Sequence, residues 1–550
     1  MTPSDPRFRV RWLGRVAYGE ASDLQRAVWE SRSTGRIGDD YLLLLEHPHT
    51  YTVGRNGDGS NLKVDPSLLG AIGASLVFTD RGGDITYHGP GQLVGYPIVA
   101  VPSLARGWDS VGHLRRIETL LIDTLADLGV RAWAEDGFTG VWTERGKIAA
   151  IGVRVSAGVA THGFAINVAP DLSYFGHIVP CGIADRPVTA LAEILGTPPP
   201  MEAVVDALIP HAVAVFGGDP DVQIGSFSRK DRTRPYDIDA MVEAGVFSST
   251  RRNETPIAIR GLLPGEPAKP EWMKVKADLS TRGFRDLKKL MRGMELNTVC
   301  EEAQCPNIYE CWESGTSTLM LLGDTCTRAC AFCDVATGRP GAVDVEEARR
   351  AAAAVVHMGL RHAVLTSVNR DDLPDGGASV FADTIQEIRE RLPECEVEVL
   401  IPDFKGDTAA LEIVMKAKPA VLNHNTETVL RLQREIRTAA SYARSLTLLA
   451  RSKWMNPSGV VKSGLIVGMG ETEDEVLGAL ADLRAVGVDV VTIGQYLRPT
   501  ARHRPISRYV HPDEFLRYAE AGDRLGLSHV EAGPLVRSSY RAHESLEAAR

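Results

Sequence analysis

From residue 318 onward, short apolar runs alternate with stretches of helical period. TLMLL (318–322), HAVLTSV (362–368), VEVLIP (397–402), AVLNH (420–424), KSGLIVG (462–468) and VVTIGQYL (490–497) read as buried strands, rich in β-branched residues and bounded by turn formers. Each is followed by a helix-like stretch: EEARRAAAAVVHM stopped by Gly359, then segments near 378–391, 408–417 and 438–453, then DEVLGALADLRAV and DEFLRYAEAGDRL. About six βα units predict an α/β domain with a parallel sheet, a partial (β/α)6 barrel.

The first 220 residues follow a different pattern. YLLLLEHP and SLVFTD are strand-like, and FTGVWT and KIAAIGVRV flank ERG as a hairpin. VGHLRRIETLLIDTLADLG predicts an amphipathic helix with Leu114, Ile117, Leu121 and Leu128 on one face and Gly129 as its stop. Clean βαβ alternation is missing, so this half is expected to be mixed α+β. Between the halves, SFSRKDRTRPYD, SSTRRNETP and GLLPGEPAKPEW carry charge, proline and glycine with little apolar period. The expected organisation is a first domain at 1–220, a linker at 221–265 and a second domain at 266–550.

Composition narrows the class. With 550 residues, 44% apolar and 24% charged, the chain reads as ordinary globular protein. A net charge of −10 argues against a general nucleic-acid or anionic-membrane surface. No apolar run approaches the ~20 residues of a membrane span, and MTPSDPRFRVRWLGR has no export-signal core. A reducing, cytoplasmic setting is expected, with neither nucleic acid nor membrane as partner.

Cysteine placement changes the picture most. Six of the eight lie in two triplets: Cys300, Cys305 and Cys311 in CEEAQCPNIYEC, and Cys326, Cys330 and Cys333 in CTRACAFC. Three thiolates can hold three irons of a cubane and leave the fourth free, although zinc also accepts thiolate sets. Cys395, inside a strand pattern, reads as a buried structural thiol. Polar, charged and glycine residues recur at the strand ends: Asn369-Arg370, Pro402-Asp403, Asn423 to Glu427, Gly468 to Glu471, and Gln495 to Arg498. Barrel active sites are built on that rim.

These residues carry a resemblance. Cys326-x3-Cys330-x2-Cys333, with Phe332 before the last thiol, resembles the radical S-adenosylmethionine (SAM) signature. The upstream triplet and the terminal RSSY (537–540) resemble the lipoyl synthase family over about 255–550. The resemblance implies a radical-SAM barrel and two [4Fe-4S] clusters. One would sit on Cys326, Cys330 and Cys333 and bind SAM; a sulfur-donating one would sit on Cys300, Cys305, Cys311 and Ser539, favoured over Ser538. Asn369, Arg370, Asn423 and Glu471 are candidate SAM or substrate contacts. Sulfur would be inserted at C6 and C8 of an octanoyl chain held on a carrier lysine, with a flavodoxin- or ferredoxin-type electron donor.

In the first half, Cys181 in IVPCGI sits between Pro180 and Gly182, and Lys147 is its candidate partner. RGGDITYHGPGQ, GKIAAIG, THGFAIN and IVPCGI together resemble lipoate-protein octanoyltransferase, of biotin/lipoate ligase-like fold, over about 10–215. The resemblance makes Cys181 the nucleophile and Lys147 its acid/base. The acyl tunnel would be lined by Arg81, Gly82, Gly83, Asp84, Ile85, Thr86, Tyr87 and His88, by Ala150, Ile151 and Gly152, and by Gly163, Phe164 and Ala165. Octanoyl-acyl carrier protein would be the donor. The lipoyl carrier domains of 2-oxoacid dehydrogenase complexes and the glycine cleavage H protein would accept. Arg106, Arg115 and Arg116 are candidates for a basic docking patch. An ATP-dependent ligase would not need the thiol of Cys181. The expected whole is a bifunctional lipoate-biosynthesis enzyme. The alternatives are an active barrel preceded by a carrier-docking module, and a zinc-bearing scaffold.

Overall fold

The computed structural model describes residues 6–105, 107–179, 186–227, 267–273, 289–299 and 318–550. The chain divides into two units, Met1–Arg229 and Lys230–Arg550.

In the first unit the strands are β1 (Arg7–Arg15), β2 (Asp40–Glu46), β3 (Thr50–Val53), β4 (Ser75–Phe78), β5 (Ile85–His88), β6 (Gln92–Ile98), β7 (Trp133–Glu135), β8 (Phe138–Thr143), β9 (Gly146–Ser156), β10 (Val159–Asn167) and β11 (Asp219–Ile224). They form a main sheet in the order β11-β1-β2-β6-β10-β9-β8-β7 and a small sheet β4-β3-β5. β1 runs parallel to β2 and β11, whereas the β6 to β7 side is antiparallel. The predicted hairpin forms around Glu144 and Arg145, with Thr143 opposite Gly146.

The predicted amphipathic helix spans Ser110–Asp127, and the Asp109 carboxylate caps it by accepting from the Gly112 N–H. It packs with helix Met201–Phe216 on one face of the sheet, burying Ile117, Leu120, Leu121 and Leu125 against Val204, Val205 and Leu208. Each such side chain contributes roughly 1.5–3 kcal/mol through burial. Leu114 and Leu128 are only half-buried. Both lie at the ends of the stripe that runs through 117, 121 and 125, and Leu128, at the C-cap, still packs against this core.

The second unit contains β12 (Asn297–Thr298), β13 (Thr318–Leu321), β14 (Thr325–Cys326), β15 (Ala336–Thr337), β16 (His362–Ser367), β17 (Glu396–Leu400), β18 (Val421–Asn423), β19 (Val460–Val467), β20 (Val490–Gln495) and β21 (His529–Gly533). Its main sheet runs β12-β13-β16-β17-β18-β19-β20-β21. From β13 onward, neighbours are parallel and follow chain order. Among the described residues β21 is not paired with β12 or β13, so the barrel is partial. The helices Glu347–Met358, Ala378–Arg391, Thr408–Lys416, Tyr442–Met455, Glu473–Ala485 and Pro512–Leu525 fall where the periodicity predicts. Gly359 adopts φ 61° and ends its helix. The strand β21, which the hydrophobic pattern did not single out, is HVEAG, with polar His529 and Glu531 interrupting the apolar run.

Alternation along β17 decides which side chains face inward. Val397 and Val399 join Phe381, Ile385 and Ile388 in the helix-side core, so Glu398 and Leu400 point to the inner face. There Lys462 donates to Glu398 at 3.0 Å, and both are essentially solvent-free. Burial alone would raise the Glu398 pKa, but Lys462 holds it down to about 2. Cys395 is buried in the helix-side core, as its strand pattern suggests. Among the described residues no helix is long and apolar enough to cross a membrane.

Candidate functional site

In the first unit, register brings the separated glycine-rich stretches together. Gly163 pairs with Gly152, Phe164 with Ile151 and Ala165 with Ala150 across β10 and β9. The loop before β5 closes on them, where the Gly82 N–H donates to the Val153 carbonyl at 3.2 Å. Phe164 and Ile151 face the helix-packed core, so alternation turns Ala150, Gly152, Gly163 and Ala165 to the opposite face. A Cβ on Gly163 would sit 2.1 Å from the Gly95 carbonyl oxygen, and one on Gly152 would sit 3.0 Å from that of Gly82. These glycines are therefore required by close backbone approach.

Arg81 is buried beneath this loop and donates to the Thr52 hydroxyl at 2.9 Å and the Gly82 carbonyl at 2.9 Å. Gly83 turns the chain at φ 86°. Along β5, Ile85 and Tyr87 fill a small core with Tyr51, Val53 and Leu69. Thr86 and His88 alternate to the other side, both buried. His88 forms a cluster with the rings of Tyr18 and His47, at 6.2 and 5.7 Å, and its Nδ1 is buried with no hydrogen-bond partner among the described residues. Desolvation, with His47 and Arg81 nearby, pushes its pKa well below the ordinary imidazole value, so the ring is neutral. Asp84 accepts a short hydrogen bond from Asn61 through one carboxylate oxygen.

Lys147 is 8% exposed, on β9, with Nζ 5.4 Å from the centre of the Trp142 ring. Its backbone is fastened on both sides, donating to Pro187 O at 2.9 Å and accepting from Thr189 N at 3.0 Å. Arg186 stacks on Phe138 and Trp142 at 4.5 and 5.3 Å. Cys181 lies outside the described residues, but the chain just beyond it, at 187–189, runs alongside Lys147. Gly140 has φ +121°, and a Cβ there would come within 2.6 Å of Lys147 Cε. Gly140→Ala is expected to displace the lysine and to destabilise the hairpin, because the same Cβ would also come within 2.6 Å of the Ala149 carbonyl oxygen at a φ that L side chains rarely adopt. A lower melting temperature than wild type would check it. Of the proposed basic patch, Arg115 is engaged with Glu118 at 2.6 Å and Arg106 lies outside the described residues.

In the second unit, the ends of the parallel strands enclose a cavity of about 680 Å³. Cys326, Cys330 and Cys333 all line it, as do Asn369, Glu427 and Arg437. The backbone N–H groups of Arg328 and Asn369 each point at the Cys326 sulfur, at 3.4 Å. Ala331 is held between two distant segments, donating to Ile436 O at 2.9 Å and accepting from Arg504 N at 3.0 Å. His503 Nε2 contacts the Cys333 carbonyl at 2.9 Å.

Arg328, lying between two cysteines of the signature, bridges Asp371 at 2.7 and 2.8 Å and Asp403 at 2.7 Å. Burial opposes its charge, yet the two carboxylates more than offset this and raise its pKa. Burial likewise pushes the Cys330 thiol up to about 11 and Cys333 higher still. Such thiols become thiolates when a metal takes the place of the proton. Among the described residues no three His, Cys, Asp or Glu side chains converge as ligands of a single ion. Three thiols around one cavity, with N–H donors aimed at sulfur, fit a polynuclear cluster better than one zinc ion.

Of the predicted SAM contacts, Asn369 stands on the cavity wall. Arg370 donates to Asp372 at 2.9 Å and to Gly341 O at 3.0 Å. Asn423 donates to Glu398 at 3.0 Å, and Glu471 accepts from Met469 N at 3.0 Å. These three side chains tie the rim together from outside the cavity wall. Ser538 is on the wall, while Ser539 accepts from the Thr318 hydroxyl at 2.9 Å. Cys300, Cys305 and Cys311 lie outside the described residues. Arg437, Lys269 and Arg537 also line the cavity. The strand pattern did not reveal them because they come from connecting segments.

These two sites define a chain with an acyl-transfer or ligase-type domain ahead of a radical SAM domain. Residues 17–212 match the lipoyl protein ligase A/B catalytic domain family, and residues 320–483 match the radical SAM superfamily. Lipoyl synthase of Rubrobacter xylanophilus is 56% identical over 286 residues, covering 52% of this chain and 89% of that protein. Lipoyl synthase of Koribacter versatilis is 56% identical over 284 residues, covering 52% and 93%. A putative lipoate protein ligase from T. acidophilum with bound lipoic acid is 17% identical, covers 41% of this chain and 91% of that one, and superposes with a TM-score of 0.34. Through its second half the chain belongs to the lipoyl synthase family. It is an enzyme of lipoate biosynthesis with transferase and sulfur-insertion roles, and that membership implies SAM and iron–sulfur cofactors.

Proposed function

We propose that the chain carries out two consecutive steps on one carrier lysine. The first unit transfers octanoate from acyl carrier protein to a lysine of a lipoyl carrier domain, and the second inserts sulfur at C6 and C8 of that chain. The observation that carries the first step is the placement of Lys147. It is buried, freed by Gly140, and fastened to the 187–189 segment that follows Cys181. Cys181 as thiolate attacks the octanoyl thioester, and the carrier thiolate leaves with a proton from Lys147. The acceptor amine then attacks the acyl-enzyme, its proton passes to Lys147, and Cys181 is released as the thiolate. Thioester is exchanged for thioester and then for amide, so no nucleotide is needed. The glycine-lined faces of β9 and β10, the Arg81 loop and His88 border the acyl chain.

In the second unit, Cys326, Cys330 and Cys333 would hold a [4Fe-4S] cluster. When loaded with SAM it supplies a radical able to take hydrogen from an unactivated C–H bond. The chain's own residues position and protect. Asn369 and Arg437 offer polar contacts at the wall, while Val368, Leu400, Ile401, Leu465 and Ile466 give it an apolar side that suits an alkyl chain. A second cluster on Cys300, Cys305 and Cys311, completed by a serine of RSSY, would donate sulfur. Replacing the ligand serine by alanine should lower sulfur transfer while SAM cleavage continues. The comparison of Ser538→Ala with Ser539→Ala, read by iron content and lipoyl yield, assigns the ligand. The partners are octanoyl-acyl carrier protein, lipoyl carrier domains including the glycine cleavage H protein, and a low-potential flavodoxin- or ferredoxin-type donor.

The test of the first step is covalent. Incubation with octanoyl-acyl carrier protein should add one octanoyl group to this chain, removable by hydroxylamine. Its persistence in Cys181→Ser would overturn the assignment.

A further inference from the structure

Strand alternation predicts where His162 should point, and the structure departs from it. Ala160 and Phe164, two residues to either side on β10, face the helix-packed core. An ordinary extended residue at 162 would join them. Instead His162 has φ 58°, a left-handed backbone that a non-glycine residue adopts only at a cost. Its Nε2 lies 2.6 Å from Asp80 Oδ1. Asp80 also pairs with Arg154. The neighbours of Arg154, Val153 and Val155, pack on the helix side, so Arg154 is on the opposite face of β9. The left-handed turn thus swings the imidazole to the face that bears Gly152 and Gly163. The His162 backbone N–H is provided for, donating at 3.0 Å to Gln25 Oε1 from the helix Tyr18–Ser33.

A carboxylate only accepts, so Nε2 carries the proton. Burial, with Arg81, Arg154 and Arg55 nearby, lowers the His162 pKa to about 4 and keeps the ring neutral. Nδ1 is then a bare acceptor, buried with no hydrogen-bond partner among the described residues. A costly backbone and an unmet ring nitrogen are both retained, and the bond to Asp80 is what offsets them. Asp80 leads into the Arg81–Gly83 loop. The rest of that loop is fastened from other directions. Arg55 N donates to Arg81 O at 3.0 Å, Asn56 N to Gly83 O at 3.1 Å and Gly82 N to Val153 O at 3.2 Å. His162 supplies the fixed point at the leading end, from the strand that also carries Gly163 and Ala165.

We propose that His162 is a positioning residue for acyl binding: through Asp80 it holds the Arg81–Gly83 loop at a set height over the glycine-lined face of β9 and β10. This rests on the reading that the loop and that face border the acyl chain. The contact touches neither Lys147 nor the segment 187–189, so its loss weakens capture of the octanoyl group and spares the chemistry.

Three substitutions separate the contact from the backbone. The amide nitrogen of glutamine reaches the place of Nε2, whereas that of asparagine stops near Nδ1. Asparagine and glycine, for their part, accept a left-handed φ more readily than glutamine. The readout is acyl-enzyme formation by the full chain at rising octanoyl-acyl carrier protein, followed by intact mass after rapid quenching. His162→Asn and His162→Gly are expected to raise the half-saturating concentration about tenfold with little change in the saturating rate, the scale of one lost hydrogen bond to a charged group. His162→Gln should stay close to wild type. Asp80→Ala should show the same loss, and Asp80→Ala/His162→Asn should be no worse than Asp80→Ala alone. Unchanged half-saturation in His162→Asn, glutamine faring worst of the three, additive losses in the double variant, or a loss confined to the saturating rate would overturn the positioning role. Absence of any acyl-enzyme in the wild type overturns the functional reading, and the positioning role with it.

Discussion

Lys147→Ala is expected to lower octanoyl transfer by about 10²–10⁴-fold, the range typical for loss of a general acid–base group. Lys147 occupies a site that alanine leaves unfilled, between the Trp142 ring and the glycine at 140. Its backbone pairing with Pro187 and Thr189 uses main-chain atoms that the substitution keeps. Fold should therefore survive while chemistry is lost, and the two units supply their own control. A pre-octanoylated carrier should still gain sulfur at the wild-type rate. Both rates can be followed by the intact mass of the carrier. Residual transfer within tenfold of wild type would remove Lys147 from the mechanism.

Arg328→Met should be the most damaging single change in the second unit outside the cysteines. The guanidinium fills its pocket with three short hydrogen bonds to Asp371 and Asp403, and the Asp403 side chain has no exposure at all. Burial pushes the Asp403 pKa up, and Arg328, with a smaller contribution from Arg444, holds it down. Removing Arg328 leaves this buried carboxylate with Arg444 at 3.6 Å as its remaining cation, so the loss is expected at the low end of the roughly 3–5 kcal/mol typical of a broken buried pair. Arg328 lies between Cys326 and Cys330 in the sequence, so loss of its clamp should lower iron content and SAM cleavage along with stability. Arg328→Met/Asp403→Asn should recover part of the stability, because the buried charge that lost its main partner is gone while Arg444, 24% exposed, can turn to solvent. Octanoyl transfer by the first unit should stay near wild type throughout. Full iron loading and normal SAM cleavage in Arg328→Met would show that the clamp is dispensable.

The features legible in the sequence are those written in local spacing. The main-sheet strands from β13 to β20 stand out as short, largely apolar runs despite Glu398 in β17 and Lys462 in β19, and their helices declare themselves through periodicity and Gly359. The two cysteine triplets are equally local. What the sequence concealed is long-range. The Arg328 clamp spans 75 residues to Asp403, and the His503 contact spans 170 residues to Cys333. Nothing in the neighbourhood of any of these residues announces its partner. The same limit explains the rim. Asn423 and Glu471 sit at strand ends, as an active-site residue would, yet one supports the buried Glu398–Lys462 pair and the other caps its own loop. Position at a rim was readable; the direction of a side chain was not. In the first unit, by contrast, THGFAIN and GKIAAIG could be placed together, and strand register sets them side by side.

The central claim is that both sites work in series on one lysine. The most direct measurement is the intact mass of a lipoyl carrier domain after anaerobic incubation with this protein, its clusters rebuilt, and octanoyl-acyl carrier protein. Parallel samples would include or omit SAM and reductant. The account predicts an octanoyl adduct in every sample and two added sulfurs only where SAM and reductant are present. If no octanoyl adduct forms while a pre-octanoylated carrier still gains sulfur, the first unit is a docking module and the claim fails.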